Sequence, residues 1–248
     1  MAETSVFQKL CVVLVSTRNP LNIGAAARAM SNFGFHTLRV VHPYEAAFRE
    51  ARSAVGAEDL LANAEQYGAV AEAVADCTLV VGTTAVKQRE LRHTVHNLKD
   101  GAPIVLRELS GTNDRESRVA MLFGPEKHGL SNEDMSHCHW LMHIPTGERQ
   151  PSMNLGQAVA VCLYELARDP RRTGPQQTSQ AASSAGLERM TELLLQTLHR
   201  SGYMDSQPSE AREEKVRRMV RRMAISEEDA ALWLGMLRQI LWKLKSRE

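Results

Sequence analysis

Short apolar runs that alternate with amphipathic segments constrain the fold of this chain more than any other feature. Six runs are nearly continuous and rich in β-branched and aliphatic residues, as expected of strands covered on both faces: LCVVLV (10–15), LRVV (38–41), TLVV (78–81), PIVL (103–106), VAMLF (119–123) and WLMHI (140–144). Helical patterns lie between them, over residues 22–33, 59–75, 131–136 and 153–168. This alternation predicts an α/β domain with a mostly parallel sheet, in which ligands bind beyond the carboxyl ends of the strands.

The pattern changes after residue 168 and predicts a division into three parts. Residues 169–186 have no hydrophobic periodicity and are rich in Pro, Gln and Ser, which indicates a linker. Apolar residues then recur at helical spacing from Leu187 to a stop at Gly202, and over 210–223 and 226–245. We therefore expect a domain over 1–168, a linker over 169–186 and a small all-α extension over 187–248. An extension this short has a weak core of its own, so it should pack on the first domain or on a partner subunit.

Composition limits the possible partners and compartments. The formal net charge is +1, so no overall field selects a nucleic acid, and any RNA-binding surface must be local. No apolar run reaches about 18 residues, which predicts a cytoplasmic protein with no membrane partner. The cysteines form no CxxC pair, and free thiols of a reducing compartment are expected at Cys11, Cys77, Cys138 and Cys162. The cluster formed by His137, Cys138, His139 and His143 has no second set of ligands, so no metal site is predicted.

Three polar loops follow predicted strands or enter predicted helices. Residues 22–30 (NIGAAARAM) combine a capping Asn22 and small residues with Arg28, which suits a phosphate or carboxylate but could equally be a solvated side chain. Residues 123–131 (FGPEKHGLS) place Glu126 in a turn between two glycines, which is more than a connection needs. Residues 151–155 (PSMNL) enter an apolar helix, where Ser152 could serve only as a helix cap. A fourth loop, Gly82 to Ala85, follows the run at 78–81. Together these loops suit a site that binds a cofactor by its backbone.

The residues of these loops resemble the motifs of a known family. NxGxxxRAM (22–30), FGPEKHGLS (123–131) and PSMNLGQAVAV (151–161) are similar to motifs one, two and three of the SPOUT class of S-adenosylmethionine-dependent RNA methyltransferases. The match is to the TrmH-like branch that methylates ribose 2′-hydroxyl groups. The tail from LLLQTLHRSGYM onward resembles the C-terminal extension of the TrmJ-type tRNA methyltransferases.

The resemblance implies a fold, a reaction and a set of site residues. It implies a SPOUT-type α/β domain with a trefoil knot over about residues 78–168, and a homodimer in which the partner's motif-one arginine completes each active site. The implied reaction transfers a methyl group from S-adenosylmethionine to tRNA, at the 2′-oxygen of the pyrimidine at position 32. The implied catalytic residues are Arg28, Asn22, Glu126, Ser152 and Asn154. The implied cofactor-binding residues are Thr83, Thr84, Ala85, Gly124, Ile144, Pro151, Ser152, Met153 and Leu155.

A basic helical segment in the tail is the predicted RNA-binding surface. Apolar residues interleave with six cations: Arg212, Lys215, Arg217, Arg218, Arg221 and Arg222. Such a run is usually a solvated amphipathic helix, whereas the resemblance favours contact of Arg217, Arg218, Arg221 and Arg222, together with Arg28, with the tRNA backbone. Two alternative functions stay open: methylation of ribosomal RNA ribose by the same site, and a non-catalytic RNA-binding protein on the same scaffold.

Overall fold

A parallel sheet of seven strands forms the centre of the molecule. The computed structural model describes residues 6–47, 56–85, 93–111, 117–147, 149–168, 180–204 and 210–245. Within them, the strands run in the order β3-β2-β1-β6-β4-β7-β5, and every neighbouring pair is parallel. Their bounds are β1 (Leu10–Val15), β2 (Thr37–Val41), β3 (Glu65–Tyr67), β4 (Leu79–Thr84), β5 (Val95–Asn97), β6 (Val119–Phe123) and β7 (Trp140–His143). The predicted parallel α/β architecture is confirmed.

Helices cover both faces of this sheet. In the described residues they are α1 (Pro20–Phe33), α2 (Glu58–Ala62), α3 (Val70–Ala73), α4 (Leu98–Leu109), α5 (Asn132–Ser136), α6 (Leu155–Ala167), α7 (Ser184–Arg200), α8 (Glu210–Arg222) and α9 (Glu227–Lys245). Alternate residues of β1 point into different cores: Val12 packs with residues of α1, α4 and α6, whereas Val13 packs with residues of α3 and α5. The continuous apolar run at 10–15 is explained by burial on both faces, since all six of its residues are buried.

Two predicted elements are wrong. The run PIVL is part of helix α4 rather than a strand, because Ala102, Val105, Leu106 and Leu109 recur at helical spacing and bury one face. The predicted helix over 59–75 is two short helices, α2 and α3, separated by the edge strand β3. A short strand at a sheet edge has one paired side and exposed side chains, so its sequence carries little of the apolar signal of a central strand.

The C-terminal helices pack against the sheet domain, as expected for so small an extension. Helix α7 packs against α8 and α9 around a separate apolar core. Its first two residues bind the sheet domain directly. The Ser184 N–H donates to the Cys77 carbonyl at 2.8 Å, and the Ala185 N–H donates to the Ala75 carbonyl at 2.9 Å. Most of the predicted linker, at 169–179, lies outside the described residues, and the domain bounds stay predictions.

Candidate active site

A cleft of about 390 Å³ opens at the carboxyl ends of β4, β6 and β7. Segments that follow these three strands form its walls, and all nine residues predicted to bind a cofactor line it: Thr83, Thr84, Ala85, Gly124, Ile144, Pro151, Ser152, Met153 and Leu155. Sequence reasoning missed other lining residues, among them Met135 of α5 and Met142 of β7. Met142 lies in an apolar run and Met135 is a single apolar residue among polar ones, so nothing local separates either from an ordinary core residue. The volume falls in the range of small-ligand sites.

The wall that follows β6 is a tight turn that only glycine permits. A Cβ atom on Gly124 would lie 2.2 Å from the Leu130 backbone nitrogen, so the two ends of the turn are in contact. Gly129 has φ of +68°, in the left-handed region that favours glycine. The Gly129 N–H donates to the Pro125 carbonyl at 2.8 Å. This closure projects the side chains between the glycines toward the cleft. Helix α5 then begins at Ser131, which forms a capping box with Asp134.

Three of the predicted catalytic residues form a hydrogen-bonded chain beside this turn. The Asn154 Nδ2 donates to Asn22 Oδ1 at 2.7 Å, and the Asn22 Nδ2 donates to Glu126 Oε1 at 2.7 Å. Since a carboxylate oxygen only accepts, the Asn22 amide group has one orientation in this chain. The three residues lie up to 132 positions apart in sequence, and the chain holds the Glu126 carboxylate at the edge of the cleft.

Close packing of α1 on α6 makes this chain possible. A Cβ atom on Gly156 would lie 2.5 Å from the Cβ of Ala25, one turn after Asn22. Small residues on both helices therefore bring the two asparagines within hydrogen-bonding distance. Asn154, rather than Ser152, is the N-cap of α6, because its side chain accepts from the Gln157 N–H at 3.3 Å. The alternative in which Ser152 serves as the helix cap is therefore wrong, and Ser152 is an exposed residue of the cleft wall.

Arg28 stands apart from the cleft of its own chain. Its side chain is exposed on α1 and is not among the lining residues. Hydrogen bonds from the backbone, and to a smaller extent the Arg28 charge, lower the pKa of the Glu58 carboxyl at the start of α2. The site therefore contains four of the five predicted catalytic residues, with Arg28 elsewhere on the chain.

The arginines of α8, the basic helical segment of the tail, differ most from the RNA-binding role that the sequence predicts. Arg221 is 1% exposed and Arg218 is 6% exposed, so both are buried rather than available to a nucleic acid. Arg221 and Arg217 each pair with Glu188 at 3.1 Å, and Arg218 pairs with Glu214 at 3.2 Å. The assignment of Arg217, Arg218 and Arg221 to an RNA surface is corrected, because these guanidinium groups pair with Glu188 of α7 or with Glu214 of α8 itself. Exposed cations on α8 are Arg212, Lys215 and Arg222.

The two histidines directly after α5, His137 and His139, are largely enclosed by the protein. Burial lowers the pKa of His137 to about 4 and the pKa of His139 to about 3. His139 Nδ1 accepts from the Val80 N–H at 3.0 Å, which requires an unprotonated nitrogen. Among the described residues, no group of three or more His, Cys, Asp or Glu side chains could hold a metal ion. All four cysteines are buried free thiols. The search of the same residues found no helix with the length and hydropathy needed to cross a membrane.

The sheet and the cleft together define an α/β protein with a cleft of small-ligand size at the carboxyl ends of parallel strands. Comparison with known proteins narrows this class. The model of the SpoU rRNA Methylase family matches residues 9–164. The chain is 38% identical over 159 residues to "tRNA (cytidine-2'-O-)-methyltransferase TrmJ" of Methanocaldococcus jannaschii, covering 63% of this chain and 66% of that relative.

Other matches extend over the C-terminal helices. The chain is 31% identical to "tRNA (cytidine/uridine/adenosine-2'-O-)-methyltransferase TrmJ" of Pseudomonas aeruginosa, with 94% of this chain and 93% of the relative covered. The crystal structure of TrmJ from Z. mobilis ZM4 superposes with a TM-score of 0.78 at 30% identity, covering 93% of this chain and 98% of that one. The chain belongs to the SpoU methylase family and is similar to TrmJ-type members over nearly its whole length.

Proposed function

We propose that this protein is an S-adenosylmethionine-dependent tRNA ribose 2′-O-methyltransferase that acts on the pyrimidine at position 32. The observation that carries the proposal is the chain from Asn154 through Asn22 to Glu126, at the edge of a cleft lined by all nine predicted cofactor residues. The names of TrmJ relatives, which specify tRNA and the 2′-oxygen, support the substrate. A cytoplasmic location follows from a tRNA substrate.

The cleft fits S-adenosylmethionine by its size and its lining. Apolar side chains such as Ile144 and Leu155 can enclose an adenine ring, while the turn closed by Gly124 presents backbone groups that a Cβ atom would obstruct. When bound there, the cofactor supplies a sulfonium-linked methyl group. Thr83, Thr84 and Ala85 would border it from β4, and Pro151, Ser152 and Met153 from the entry to α6.

The hydrogen-bonded side chains of Asn154, Asn22 and Glu126 position the ribose and activate it. Methyl transfer would join the ribose 2′-oxygen to the methyl carbon as the carbon–sulfur bond breaks, with the cofactor leaving as a neutral thioether and the hydroxyl proton passing to solvent water. A sugar hydroxyl is a weak acid, so alignment and electrostatic stabilisation of the developing alkoxide contribute most. Glu126, held by Asn22, fixes the cleft wall, and Ser152 lies where a polar group can meet the ribose. We assign Arg28 to the phosphate beside the target ribose rather than to the role of base, because its planar guanidinium group matches the geometry of a phosphate.

A homodimer explains the position of Arg28. Because Arg28 does not line the cleft of its own chain, we propose that it completes the cleft of a partner subunit.

The proposed trefoil knot over about 78–168 is supported by the strand order, in which the chain inserts β6 between the earlier strands β1 and β4. RNA contact outside the cleft is assigned to the exposed cations of α8: Arg212, Lys215 and Arg222.

Mixed dimers test the shared site. Arg28→Ala and Glu126→Ala chains, co-expressed with different tags, should each be inactive alone. Sites completed in trans give one working site in each mixed dimer, or about a quarter of the wild-type activity in a random mixture. No recovery of activity would place Arg28 in its own subunit's site and overturn the shared arrangement. A co-expressed pair of Glu126→Ala and Asn154→Ala chains is the control, because both changes affect the same cleft.

The substrate is tested on defined RNAs. Unmodified tRNA transcripts with C or U at position 32 should be methylated at that ribose, as read by mass spectrometry of nuclease fragments. Methylation of ribosomal RNA fragments instead would favour the alternative function, a ribosomal RNA ribose methyltransferase. The description of the matched family names ribosomal RNA. Binding of tRNA with no methyl transfer, by a chain that does bind the cofactor, would favour the non-catalytic alternative. In cells without the gene, unchanged ribose methylation in all anticodon loops would overturn the proposal.

A further inference from the structure

One carboxylate connects the C-terminal helices to the helix that borders the cleft. Glu188 of α7 pairs with two arginines of α8. Arg217 Nε lies 3.1 Å from Glu188 Oε1, and Arg221 Nη2 lies 3.1 Å from Glu188 Oε2. Only 20% of the Glu188 side chain is exposed, and the Arg221 side chain is almost fully buried. Ion pairs with this little solvent are screened far less than pairs on a surface. Glu188 therefore fixes α8 against α7.

The same cluster reaches α5 in the sheet domain. Arg217 Nη1 donates to Ser136 Oγ at 3.2 Å, and Ser136 is the last residue of α5. The Ser136 hydroxyl in turn donates to the Glu133 carbonyl at 2.7 Å, so the contact includes the backbone of α5. His137 Nδ1, directly after the helix, lies 3.8 Å from Glu188 Oε2. The end of α5 is thus held by the C-terminal helices.

The other side of α5 belongs to the cleft. Met135 lines the cleft, and the capping box at Ser131 joins α5 to the turn that carries Glu126. Helix α5 has only five residues, little more than one turn. A displacement at Ser136 is therefore transmitted to Met135 and to the turn, with no flexible segment between them.

The charges in the cluster depend on Glu188. Within the part of the chain that the structure describes, the buried Nε and Nη1 atoms of Arg221 have no hydrogen-bond partner, and Glu188 is the ion-pair partner of this side chain. Burial keeps the pKa of His137 near 4, so this ring is neutral at pH 7 and the carboxylate serves the two guanidinium groups. Removal of one partner from a buried ion cluster leaves uncompensated charge, which is strongly unfavourable. Loss of the carboxylate should therefore displace α8 and, through Arg217, α5.

We propose that Glu188 is a positioning residue for the cofactor cleft, acting through Arg217 and Ser136 on α5. The proposal rests on the proposed function, because it takes the cleft as the S-adenosylmethionine site. It gives the C-terminal helices a role besides RNA contact: they hold one wall of the cleft in the shape that binds the cofactor.

Calorimetric titration of the full-length chain with S-adenosylmethionine, without RNA, tests this role. Glu188→Gln keeps the side-chain size and removes the charge, and it should raise the cofactor Kd by about 10-fold. A purely structural role would lower the unfolding temperature and leave the Kd of the folded protein unchanged. Glu192→Gln, at an exposed position of the same helix, is the matched control and should bind like wild type.

A milder variant covers the case in which Glu188→Gln does not fold. Ser136→Ala removes only the hydroxyl that Arg217 contacts, and it should raise the Kd by at least about 2-fold. If wild-type protein binds the cofactor and the folded variants bind it equally well, the positioning role is overturned and the proposed function stands. If wild-type protein does not bind it, the proposed function fails, and this proposal fails with it.

Discussion

Replacement of Gly156 by alanine should separate α1 from α6 and disconnect the asparagine chain. The added Cβ atom would lie 2.5 Å from the Cβ of Ala25, whereas two methyl carbons in contact need about 3.5–4.0 Å. The helices must therefore move apart by about 1 Å or more at this point. The hydrogen bond from Asn154 to Asn22, now 2.7 Å, would then exceed a hydrogen-bonding distance.

Three effects combine in the change that Gly156→Ala causes in the free energy of unfolding: two lower it and one raises it. Overpacking a close helix contact costs about 1–3 kcal/mol. Loss of the hydrogen bond between the asparagines adds about 1 kcal/mol. The greater helix propensity of alanine returns at most about 1 kcal/mol, and less near the start of a helix. Gly156→Ala should therefore lower the free energy of unfolding by about 1–3 kcal/mol and weaken cofactor binding.

Urea unfolding together with calorimetric titration of the cofactor measures both effects. Gly235→Ala in α9 is the matched control: a Cβ atom there meets nothing within 4 Å, so this variant should gain up to about 1 kcal/mol. Combining Gly156→Ala with Ala25→Gly should restore stability and cofactor affinity, because the second change vacates the space. The reasoning is refuted if Gly156→Ala is as stable as Gly235→Ala, or if Ala25→Gly does not rescue it.

Further predictions concern the hydrogen-bonded chain, the glycine turn and a buried histidine. Asn22→Ala removes a donor to the Glu126 carboxylate, worth about 1.5–3 kcal/mol, so single-turnover methyl transfer should fall about 10- to 100-fold; an unchanged rate would exclude a role for this bond. Gly124→Ala would place Cβ 2.2 Å from backbone of the same turn, and a cost of about 3 kcal/mol should raise the cofactor Kd about 100-fold by calorimetry. The buried His139 accepts from the Val80 N–H and its pKa is lowered to about 3. Protonation therefore favours the unfolded state, and the free energy of unfolding should fall by about 1.4 kcal/mol per pH unit from pH 6.5 toward pH 4. His139→Gln should reduce this pH dependence in urea unfolding. An identical pH dependence in the variant would contradict the prediction.

The strands nearest the centre of the sheet were predictable because burial on both faces leaves a continuous apolar signal. β1, β6 and β7 lie within one residue of their predicted bounds, and the helices around 22–33 and 153–168 are confirmed. β3 and β5 each have three residues, none of them fully buried, so the apolar pattern does not mark them. The run at 103–106 was misleading, because four apolar or small residues in succession suit a strand and a buried helical turn equally.

The sequence by itself determined which residue types stand at the ends of strands and at the start of α6, and hence the chemistry that the site can offer. The resemblance of the three motifs to a known family was enough to nominate Asn22, Glu126 and Asn154. Only the tertiary structure decided that their side chains bind one another, since that depends on the distance between α1 and α6. It also decided that Arg217 and Arg221 face Glu188 rather than solvent. A helical charge pattern specifies angular positions around its own axis, whereas the packing of neighbouring helices decides which of those positions meet water.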